Sequence, residues 1–350
     1  MSEIKFGVNI NNREPLIAPD YTLADLLDMA ERVEAEGFDS VWVGDSLFSK
    51  PRFEPIALLS AISQRTKKVK LGTACMISGT RNPLYLALEW ATLDHLSNGR
   101  TILGTGMGNP EEGVRREYAA LGLDFEKRAG IFEEGLAVLR QLWIDGKTDF
   151  HGEHFRYDDI SFYSGTEMKP LAPIQTPPPI WVVSNPRLTV GTKAEDATAR
   201  VIGKAARRIA RHGDGWMTCC RARHPDEFAA QLAQIHAAID ETGRDRSEYS
   251  MSYQVTMNIA DTREEARAGI DSYIGQYYPE LSKAMDLAEW GPIGTPEDVI
   301  DWIKTFQAVG VDHFICRFGS MDQSGQVDRF AREVLPAFTH VGAASSPPSS

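Results

Sequence analysis

Short hydrophobic runs rich in β-branched residues alternate along the chain with segments whose apolar positions recur at helical spacing. In the first half, four such runs begin roughly 30 residues apart, and each is followed by a predicted helix. This alternation predicts parallel strands joined by crossover helices. The four predicted strands are Ile4–Ile10, Ser40–Gly44, Val69–Met76 and Arg100–Gly106.

The second half repeats this rhythm with longer connections. Four more runs predict the strands Pro179–Ser184, Gly215–Cys219, Tyr249–Ile259 and His313–Gly319. Eight strands with helices between them predict an α/β fold, a (β/α)8 TIM barrel with insertions after strands 4, 5 and 7. An open doubly wound sheet is the alternative, but no G-x-G-x-x-G pattern follows the first strand, where a dinucleotide-binding fold carries it.

Local signals add detail to this outline. Thr22 with Asp25, and Thr295 with Asp298, have the three-residue spacing of a helix N-cap and its partner. The segment Asp149–Phe162 has the pattern of a β-hairpin within the first insertion. No composition shift marks a domain boundary, so residues 1–340 are predicted to form a single domain. The small, polar, proline-containing end, residues 341–350, is predicted to be a disordered tail.

Composition narrows the possible functions. The 350 residues carry a net charge of −12, which argues against non-specific binding to nucleic acid or to an anionic membrane. No apolar stretch approaches the ~20 residues of a membrane span, and the first residues do not resemble a secretion signal. None of the four cysteines stands in a C-x-x-C pattern. We therefore expect a cytoplasmic protein with free thiols.

Candidate chemistry follows from the barrel prediction, because functional residues of such barrels lie at the carboxyl ends of the strands. The second strand stops on Asp45-Ser46, and Asp45 is the acid directly at a strand end. The other strand ends carry small residues, amides, hydroxyls and sulfur, without a His–carboxylate cluster for a metal or a lysine for a Schiff base. This set predicts a metal-free site that holds a flat, polar-edged cofactor with its own reactivity.

Longer phrases carry a family resemblance. The run AERVEAEGFDSVWVGDSLF is followed by LGT and then by R-x-P-x-x-x-A-x-x-x-A-T-L-D-x-L-S-x-G-R. With HGEHFRYDD, PPPIWVVSN and GTPEDVIDWI further on, the chain resembles the bacterial luciferase-like flavin-dependent monooxygenases over residues 4–340. The resemblance implies a (β/α)8 barrel that forms a homodimer and binds reduced FMN, or the related deazaflavin, at the carboxyl face.

The resemblance also implies a reaction. We expect an FMNH2-dependent two-component monooxygenase that takes reduced flavin from a separate NAD(P)H:flavin reductase and oxygenates a small organic substrate with O2. The alternative is a deazaflavin-dependent reductase or dehydrogenase of the same fold, which moves a hydride and needs no oxygen. A third possibility is a non-catalytic flavin-binding relative.

Site residues follow from the matching positions. The resemblance implies that the cofactor ring lies across the ends of strands 3 and 4, and that the phosphate lies beyond strand 5. It also implies a non-prolyl cis peptide within Ala74-Cys75-Met76, at the end of strand 3. The cofactor residues so implied are Ala74, Cys75, Met76, Thr105, Gly106, Met107, Ser184 and Asn185.

One position departs from the family. Many members carry a histidine just beyond strand 2, where this chain has Asp45 and Ser46. We expect these two to be the catalytic residues: Asp45 to polarise a water or a substrate N–H, and Ser46 to donate to a flavin intermediate. Residues at other strand ends are expected to contact the substrate, namely Asn9, Met257 and Phe318.

Overall fold

A computed structural model describes most of the chain. The described residues are 4–18, 20–162, 171–185, 194–219, 225–277 and 291–338. The predicted disordered tail, residues 341–350, lies outside them, as does much of the connection after the fifth barrel strand, residues 186–193.

Twelve strands occur within the described residues, numbered in chain order. They are β1 Lys5–Asn9, β2 Ser40–Val43, β3 Lys70–Thr73, β4 Met76–Ile77, β5 Thr101–Gly106, β6 Lys147–His151, β7 Arg156–Ser161, β8 Ile180–Val183, β9 Gly215–Cys219, β10 Ser250–Ile259, β11 Ile293–Gly294 and β12 His313–Phe318.

Eight of these strands close into a parallel barrel. Their order is β1, β2, β3, β5, β8, β9, β10 and β12, and β12 pairs with β1 to complete the ring. Each neighbouring pair is parallel. The predicted (β/α)8 barrel is therefore confirmed, and the open sheet is excluded because the ring has no free edge.

Helices follow the barrel strands. They are α1 Leu23–Ala35, α2 Pro55–Arg65, α3 Pro83–Ser97, α4 Glu112–Ala120, α5 Arg128–Asp145, α6 Ala194–His212, α7 Pro225–Asp240, α8 Arg263–Tyr277, α9 Pro296–Ala308 and α10 Gln323–Glu333. Both predicted capping boxes are present, at Thr22 for α1 and at Thr295 for α9. In the part of the chain that the structure describes, none of the helices is long and apolar enough to cross a membrane.

The insertions contain the remaining strands. After β5 come α4, α5 and the antiparallel hairpin β6–β7, which confirms the hairpin prediction. The third predicted strand is interrupted, because the bond between Ala74 and Cys75 is a cis peptide and the chain resumes as β4, which pairs with β5. After β10 the short strand β11 extends the sheet, and residues 278–290 before it lie outside the described ranges.

Two apolar layers fix which side chains face the barrel interior. Outward-facing residues of the strands pack against the helices in a cluster that we call the outer core, for example Phe314 and Phe6 on neighbouring strands. A second cluster fills the interior, with the stacked rings of Trp42 and Trp181 at 5.0 Å between centroids. Side chains alternate between the two faces of a strand. Membership of one cluster or the other therefore shows which residues of each strand face the interior; we call this the phase of the strand.

The amino end of the interior is closed by a buried histidine. His313 Nε2 lies 2.8 Å from Ser40 Oγ, which also accepts a hydrogen bond from Trp42 Nε1 at 2.7 Å. Burial and, to a smaller extent, the charge of Lys5 lower the pKa of His313 to about 3. The imidazole is therefore neutral at neutral pH and has a structural role at the base of the barrel.

Candidate active site

Two glycines deeper in the barrel show which residues face the interior at the barrel mouth, that is, at the carboxyl ends of the strands. A Cβ added to Gly7 would lie 2.5 Å from Trp42 Nε1, and one added to Gly72 would lie 2.2 Å from Trp42 Cζ3. Both positions therefore face the interior. Asn9 and Ala74, each two residues further along the same strand direction, face the same way at the carboxyl end.

One side of the mouth is lined by small residues: Ala74, Cys75, Gly106 and Val183. A Cβ at Gly106 would lie 3.4 Å from Val183 Cβ and 3.7 Å from Cys75 Sγ, so these three positions meet. Ala74 and Val183 pack with the interior cluster. We call this set the small-residue wall. It lies above the stacked pair Trp42 and Trp181, whose side chains are far larger.

The cis peptide confirms an expectation, since a non-prolyl cis bond was predicted within Ala74-Cys75-Met76 and the structure has it between the first two. The thiol beside it is not a nucleophile. Burial and, to a smaller extent, the charge of Asp45 raise the pKa of Cys75 to about 12. The sulfur is therefore a protonated, weakly polar group in the wall.

Three more predicted cofactor residues lie beside this wall rather than on it. Thr105 is fully buried, and its Oγ1 lies 3.1 Å from the carbonyl oxygen of Met76 and 2.7 Å from Ser78 Oγ. Met76 is fully buried in the outer core. Met107 is half-buried, and its carbonyl accepts a hydrogen bond from Tyr118 at 3.1 Å. These residues hold β4 against β5 and support the position of Gly106.

The predicted phosphate residues follow β8 directly. The backbone N–H of Ser184 donates to Met217 O at 3.0 Å, and its carbonyl accepts from Trp216 Nε1 at 3.0 Å. Asn185 Oδ1 accepts from Thr218 Oγ1 at 3.3 Å. Both Ser184 and Asn185 are half-buried. Their role toward a phosphate stays a prediction, because residues 186–193 lie outside the described ranges.

Asp45 makes two contacts that shape the wall. Its Oδ2 accepts from the N–H of Ile77 at 3.0 Å, and its Oδ1 accepts from Arg81 Nη2 at 2.9 Å. The side chain of Asp45 is only 9% exposed. The carboxylate thus connects the end of β2 to the turn that follows the cis peptide. Its predicted catalytic role stays untested, while these contacts favour a positioning role.

Ser46 is tied to a residue that sequence reasoning missed. Its Oγ donates to Glu117 Oε1 at 3.0 Å and accepts from the N–H of Lys50 at 2.9 Å. The same carboxylate oxygen accepts from the N–H groups of Phe48 and Ser49. Glu117 is 1% exposed and fixes the loop after β2. No local pattern could have linked Ser46 to a residue 71 positions away, and its predicted catalytic role stays untested.

The opposite side of the mouth is polar, with four inward side chains from β1, β10 and β12: Asn9, Gln254, Thr256 and Arg317. We call this set the polar wall. Arg317 Nε donates to Thr256 Oγ1 at 2.9 Å. Gln254 is 9% exposed and Thr256 is fully buried. Their inward phase follows from their neighbours, because Tyr253 and Val255 belong to the outer core.

The same alternation of side chains places two residues that were predicted to contact the substrate on the outer face of the barrel. Met257 and Phe318 are fully buried in the outer core, and Phe318 packs edge-on against Phe330 of α10 at 5.9 Å. The expectation that they line the mouth is thus corrected, because the inward residues are their chain neighbours Thr256 and Arg317. A strand reverses its faces with every residue, and sequence alone left that phase open.

A buried acid lies next to the polar wall and was also missed. Glu14 is 2% exposed, and its Oε1 accepts from Asn11 Nδ2 at 3.0 Å. The same amide nitrogen lies 3.0 Å from Tyr273 OH. Burial raises the pKa of Glu14 to about 8, against the lowering effects of the Asn11 bond and of the charges of Arg317 and Arg52. The carboxyl is therefore mostly protonated at neutral pH.

Residues 4–313 match the family model of luciferase-like monooxygenases. The chain belongs to this family. Its closed barrel agrees with the fold of similar solved structures. The chain is an oxidoreductase that depends on a flavin or a deazaflavin. The resemblance read from the sequence is confirmed.

One sequence relative and two solved structures are similar to the chain over nearly its whole length. It is 26% identical over 347 residues to the F420-dependent glucose-6-phosphate dehydrogenase of Amycolatopsis mediterranei, covering 91% of this chain and 95% of that protein. The crystal structure of monooxygenase RslO1 from Streptomyces bottropensis superimposes with a TM-score of 0.76 at 22% identity. The match covers 96% of this chain and 100% of that chain. An F420-dependent secondary alcohol dehydrogenase superimposes with a TM-score of 0.73 at 21% identity, covering 96% and 99%. At these identities the two structures establish the fold.

These relatives correct the expected reaction. The expectation of an FMNH2-dependent monooxygenase is wrong, because several sequence relatives that match nearly the whole chain are named F420-dependent glucose-6-phosphate dehydrogenases. The error has a physical reason: a flavin and a deazaflavin present rings of the same shape, so strand-end residues that fit one also fit the other. The expected O2, reductase partner and homodimer are not tested by these matches.

Proposed function

We propose that this protein is an F420-dependent dehydrogenase that moves a hydride between the deazaflavin and a small hydroxylated substrate. The observation that carries the proposal is the likeness over nearly the whole chain to F420-dependent dehydrogenases. The small-residue wall supports it, since its short side chains would suit the face of a flat ring and hydride transfer needs no catalytic metal.

The residues of the mouth fit such a cofactor. A flat ring needs a wall without bulky side chains, and Ala74, Cys75 and Gly106 meet this need above the large rings of Trp42 and Trp181. In the proposal, the three small residues hold the ring. Ser184 and Asn185, at the end of β8, would hold the phosphate end.

In the proposed reaction, the cofactor and the protein's own residues have separate roles. When bound, the deazaflavin supplies the carbon that gives or takes the hydride. In the oxidative direction, the substrate loses a hydride from carbon to the deazaflavin and a proton from its hydroxyl to water. The chain's own residues orient the substrate through the polar wall, and Asp45 holds the turn that carries Cys75 and Ile77.

A direct experiment tests the cofactor and the reaction separately. Purified protein is titrated with oxidised F420 and, in parallel, with reduced FMN, with fluorescence as the readout. Turnover with a panel of alcohols and hydroxy acids is then followed without oxygen as loss of the absorbance of oxidised F420. We expect F420 binding and oxygen-independent reduction. Binding of FMNH2 but not F420 would contradict the proposal, and F420 binding without any turnover would favour a non-catalytic relative.

We also propose that two copies of this chain associate, through an apolar stripe on α3. Tyr85, Leu88 and Leu96 are 68%, 38% and 45% exposed, and their spacing puts them along one side of the helix. Light scattering measures the mass: we expect a dimer for the wild type and a monomer for the double variant Tyr85→Glu, Leu88→Glu. A wild-type monomer, or a dimer that survives both changes, would contradict this assignment.

A further inference from the structure

Helix α4 contacts the segments that follow β2 and β5, and also β4 itself. Glu117 of α4 binds the loop after β2. Val114 and Tyr118, on the same helix, pack in one apolar cluster with Ile77 of β4. The hydroxyl of Tyr118 also donates to the carbonyl of Met107, just beyond β5, at 3.1 Å. One helix therefore bridges three segments that lie next to the small-residue wall.

Glu117 makes several hydrogen bonds to the loop after β2. Its Oε1 accepts from Ser46 Oγ at 3.0 Å, from the N–H of Phe48 at 2.8 Å and from the N–H of Ser49 at 2.7 Å. The side chain is buried, since Glu117 is 1% exposed. Hydrogen bonds to a carboxylate are about twice as strong as those to a neutral acceptor. The carboxylate therefore holds three donors of one loop at a single point.

Two further contacts attach the same loop to α4. We call residues 46–50 the β2 loop. A Cβ added to Gly113 of α4 would lie 2.1 Å from Ser49 Oγ, so a larger residue there would displace the loop. At the end of the loop, Lys50 Nζ pairs with Glu111 Oε2 at 3.3 Å. The β2 loop is thus fastened to α4 at its start, its middle and its end.

Asp45 carries this constraint to the small-residue wall. It directly precedes the β2 loop, and its Oδ2 accepts from the N–H of Ile77 at 3.0 Å. Ile77 follows the cis peptide bond between Ala74 and Cys75 by two residues. Because a hydrogen bond weakens steeply with distance and angle, the bond to Ile77 requires that the backbone of Asp45 be held in place. Glu117 therefore acts on the wall through the β2 loop and Asp45.

Tyr118, the next residue of α4, acts on the other edge of the wall. It is fully buried, and its hydroxyl donates to the carbonyl of Met107, the residue after Gly106. Burial raises the pKa of Tyr118 to about 12, so the hydroxyl stays protonated and can donate. A Cβ added to Gly108 would lie 2.6 Å from Val114 Cγ1, so α4 also packs closely against the segment after β5.

We propose that Glu117 and Tyr118 are positioning residues of the active site. From one turn of α4 they fix the position of Cys75 relative to Gly106, the part of the small-residue wall that receives the cofactor ring. Each acts through another residue: Glu117 through the β2 loop and Asp45, and Tyr118 through Met107. The inference rests on the proposed function, which assigns this wall to the ring.

Hydrogen–deuterium exchange tests the first step on the protein without cofactor. We expect the backbone amides of the β2 loop to exchange about tenfold faster in Glu117→Ala, because the N–H groups of Phe48 and Ser49 lose their acceptor. Glu117→Gln keeps a neutral acceptor and should show a smaller increase. The matched control is Glu112→Gln, an exposed residue of the same helix, which should exchange like the wild type. Unchanged exchange in Glu117→Ala overturns the role of Glu117.

Fluorescence titration with oxidised F420 tests the effect on the cofactor. We expect Glu117→Ala to weaken binding by about tenfold, and Glu117→Gln and Tyr118→Phe by about threefold each, with Glu112→Gln unchanged. A purely structural role would lower the melting temperature and leave the affinity of the folded protein as it is, so unchanged affinity overturns the proposal. If Glu117→Ala does not fold, the nearly isosteric changes Glu117→Gln and Tyr118→Phe decide the test.

Combined substitutions test the route of the effect. Glu117→Ala with Asp45→Asn should weaken F420 binding by less than the product of the two single changes, because both act on the same turn. Additive losses of binding free energy in this pair overturn the route through Asp45.

Failure of the proposed function looks different. If the wild type binds reduced FMN and not F420, the dehydrogenase proposal fails, and the same series of variants titrated with reduced FMN still tests the positioning role. If the wild type binds F420 and none of the Glu117 and Tyr118 variants loses affinity, the positioning role fails and the dehydrogenase proposal stands. If the wild type binds neither cofactor, both proposals fail.

Discussion

The two walls of the barrel mouth differ in what they offer a ligand. The small-residue wall, on β3, β5 and β8, presents backbone and short side chains around a cis peptide. The polar wall, on β1, β10 and β12, presents an amide, a hydroxyl and a guanidinium. The first can select a ligand by shape and the second by charge. Added volume should therefore damage one, and lost charge should damage the other.

The supports of the walls differ in the same way. Asp45 supports the small-residue wall through the N–H of Ile77 and the side chain of Arg81. The polar wall is bordered by Glu14, which is linked through Asn11 to Tyr273 of α8. One support is an ion pair with a backbone contact, and the other is a protonated acid in a neutral network. The two should respond differently to substitution and to pH.

The largest effect is expected from volume added to the small-residue wall. Gly106→Leu should weaken F420 binding by about 100-fold, because the branched side chain would occupy the space in front of Val183 and Cys75. A fluorescence titration measures the affinity.

The control for this change is Gly275→Leu. Gly275 lies on the exposed side of α8, and a Cβ there would meet no atom within 4 Å. Affinity should be unchanged in the control. If Gly106→Leu binds F420 as tightly as the wild type and melts at the same temperature, the ring does not lie against this wall.

Much of the fold was predictable from the sequence because it depends on local periodicity. Eight apolar runs alternating with helical patterns are sufficient to predict the barrel, and the Thr22 and Thr295 caps need only three residues of context. The break at Ala74–Cys75 came from the family resemblance and not from any local rule, and β4 beyond it was missed.

The site was less predictable because its contacts join residues far apart in the chain. Glu117 meets Ser46 across 71 positions, and Tyr273 meets Asn11 across 262. The roles of Met257 and Phe318 depended on strand phase, which only the packing of the helices decides. The choice between flavin and deazaflavin needs relatives, since the ring shapes are alike.

A medium effect is expected at the support of the small-residue wall. Asp45→Asn removes the charge that pairs with Arg81 and places an N–H₂ group beside donors. We expect F420 affinity to fall about tenfold, with the pH dependence of turnover unchanged. A titration and a pH–rate profile measure the two quantities.

The neighbouring change Ser46→Ala serves as the comparison. It removes one of the hydrogen bonds to Glu117, which keeps its contacts with the backbone of Phe48 and Ser49, so the effect should be smaller. If Asp45→Asn instead keeps F420 affinity but loses a limb of the pH–rate profile, Asp45 takes part in catalysis, as the sequence alone led us to expect.

The smallest effect is expected beside the polar wall, and it depends on pH. The folded pKa of Glu14, about 8, lies above its ordinary value of 4.5. The folded state therefore binds more protons than the unfolded state between these values, and the free energy of unfolding falls as pH rises through that window, by at most about 1.4 kcal/mol per unit. Glu14→Gln keeps an acceptor for Asn11 but cannot ionise, so its stability should lack this decline.

Urea unfolding at pH 6 and pH 9 measures the difference. The variant should gain stability relative to the wild type at the higher pH. The exposed Glu241→Gln is the control and should follow the wild type. Parallel pH curves for Glu14→Gln and the wild type would mean that Glu14 is ionised throughout and that its burial does not raise its pKa.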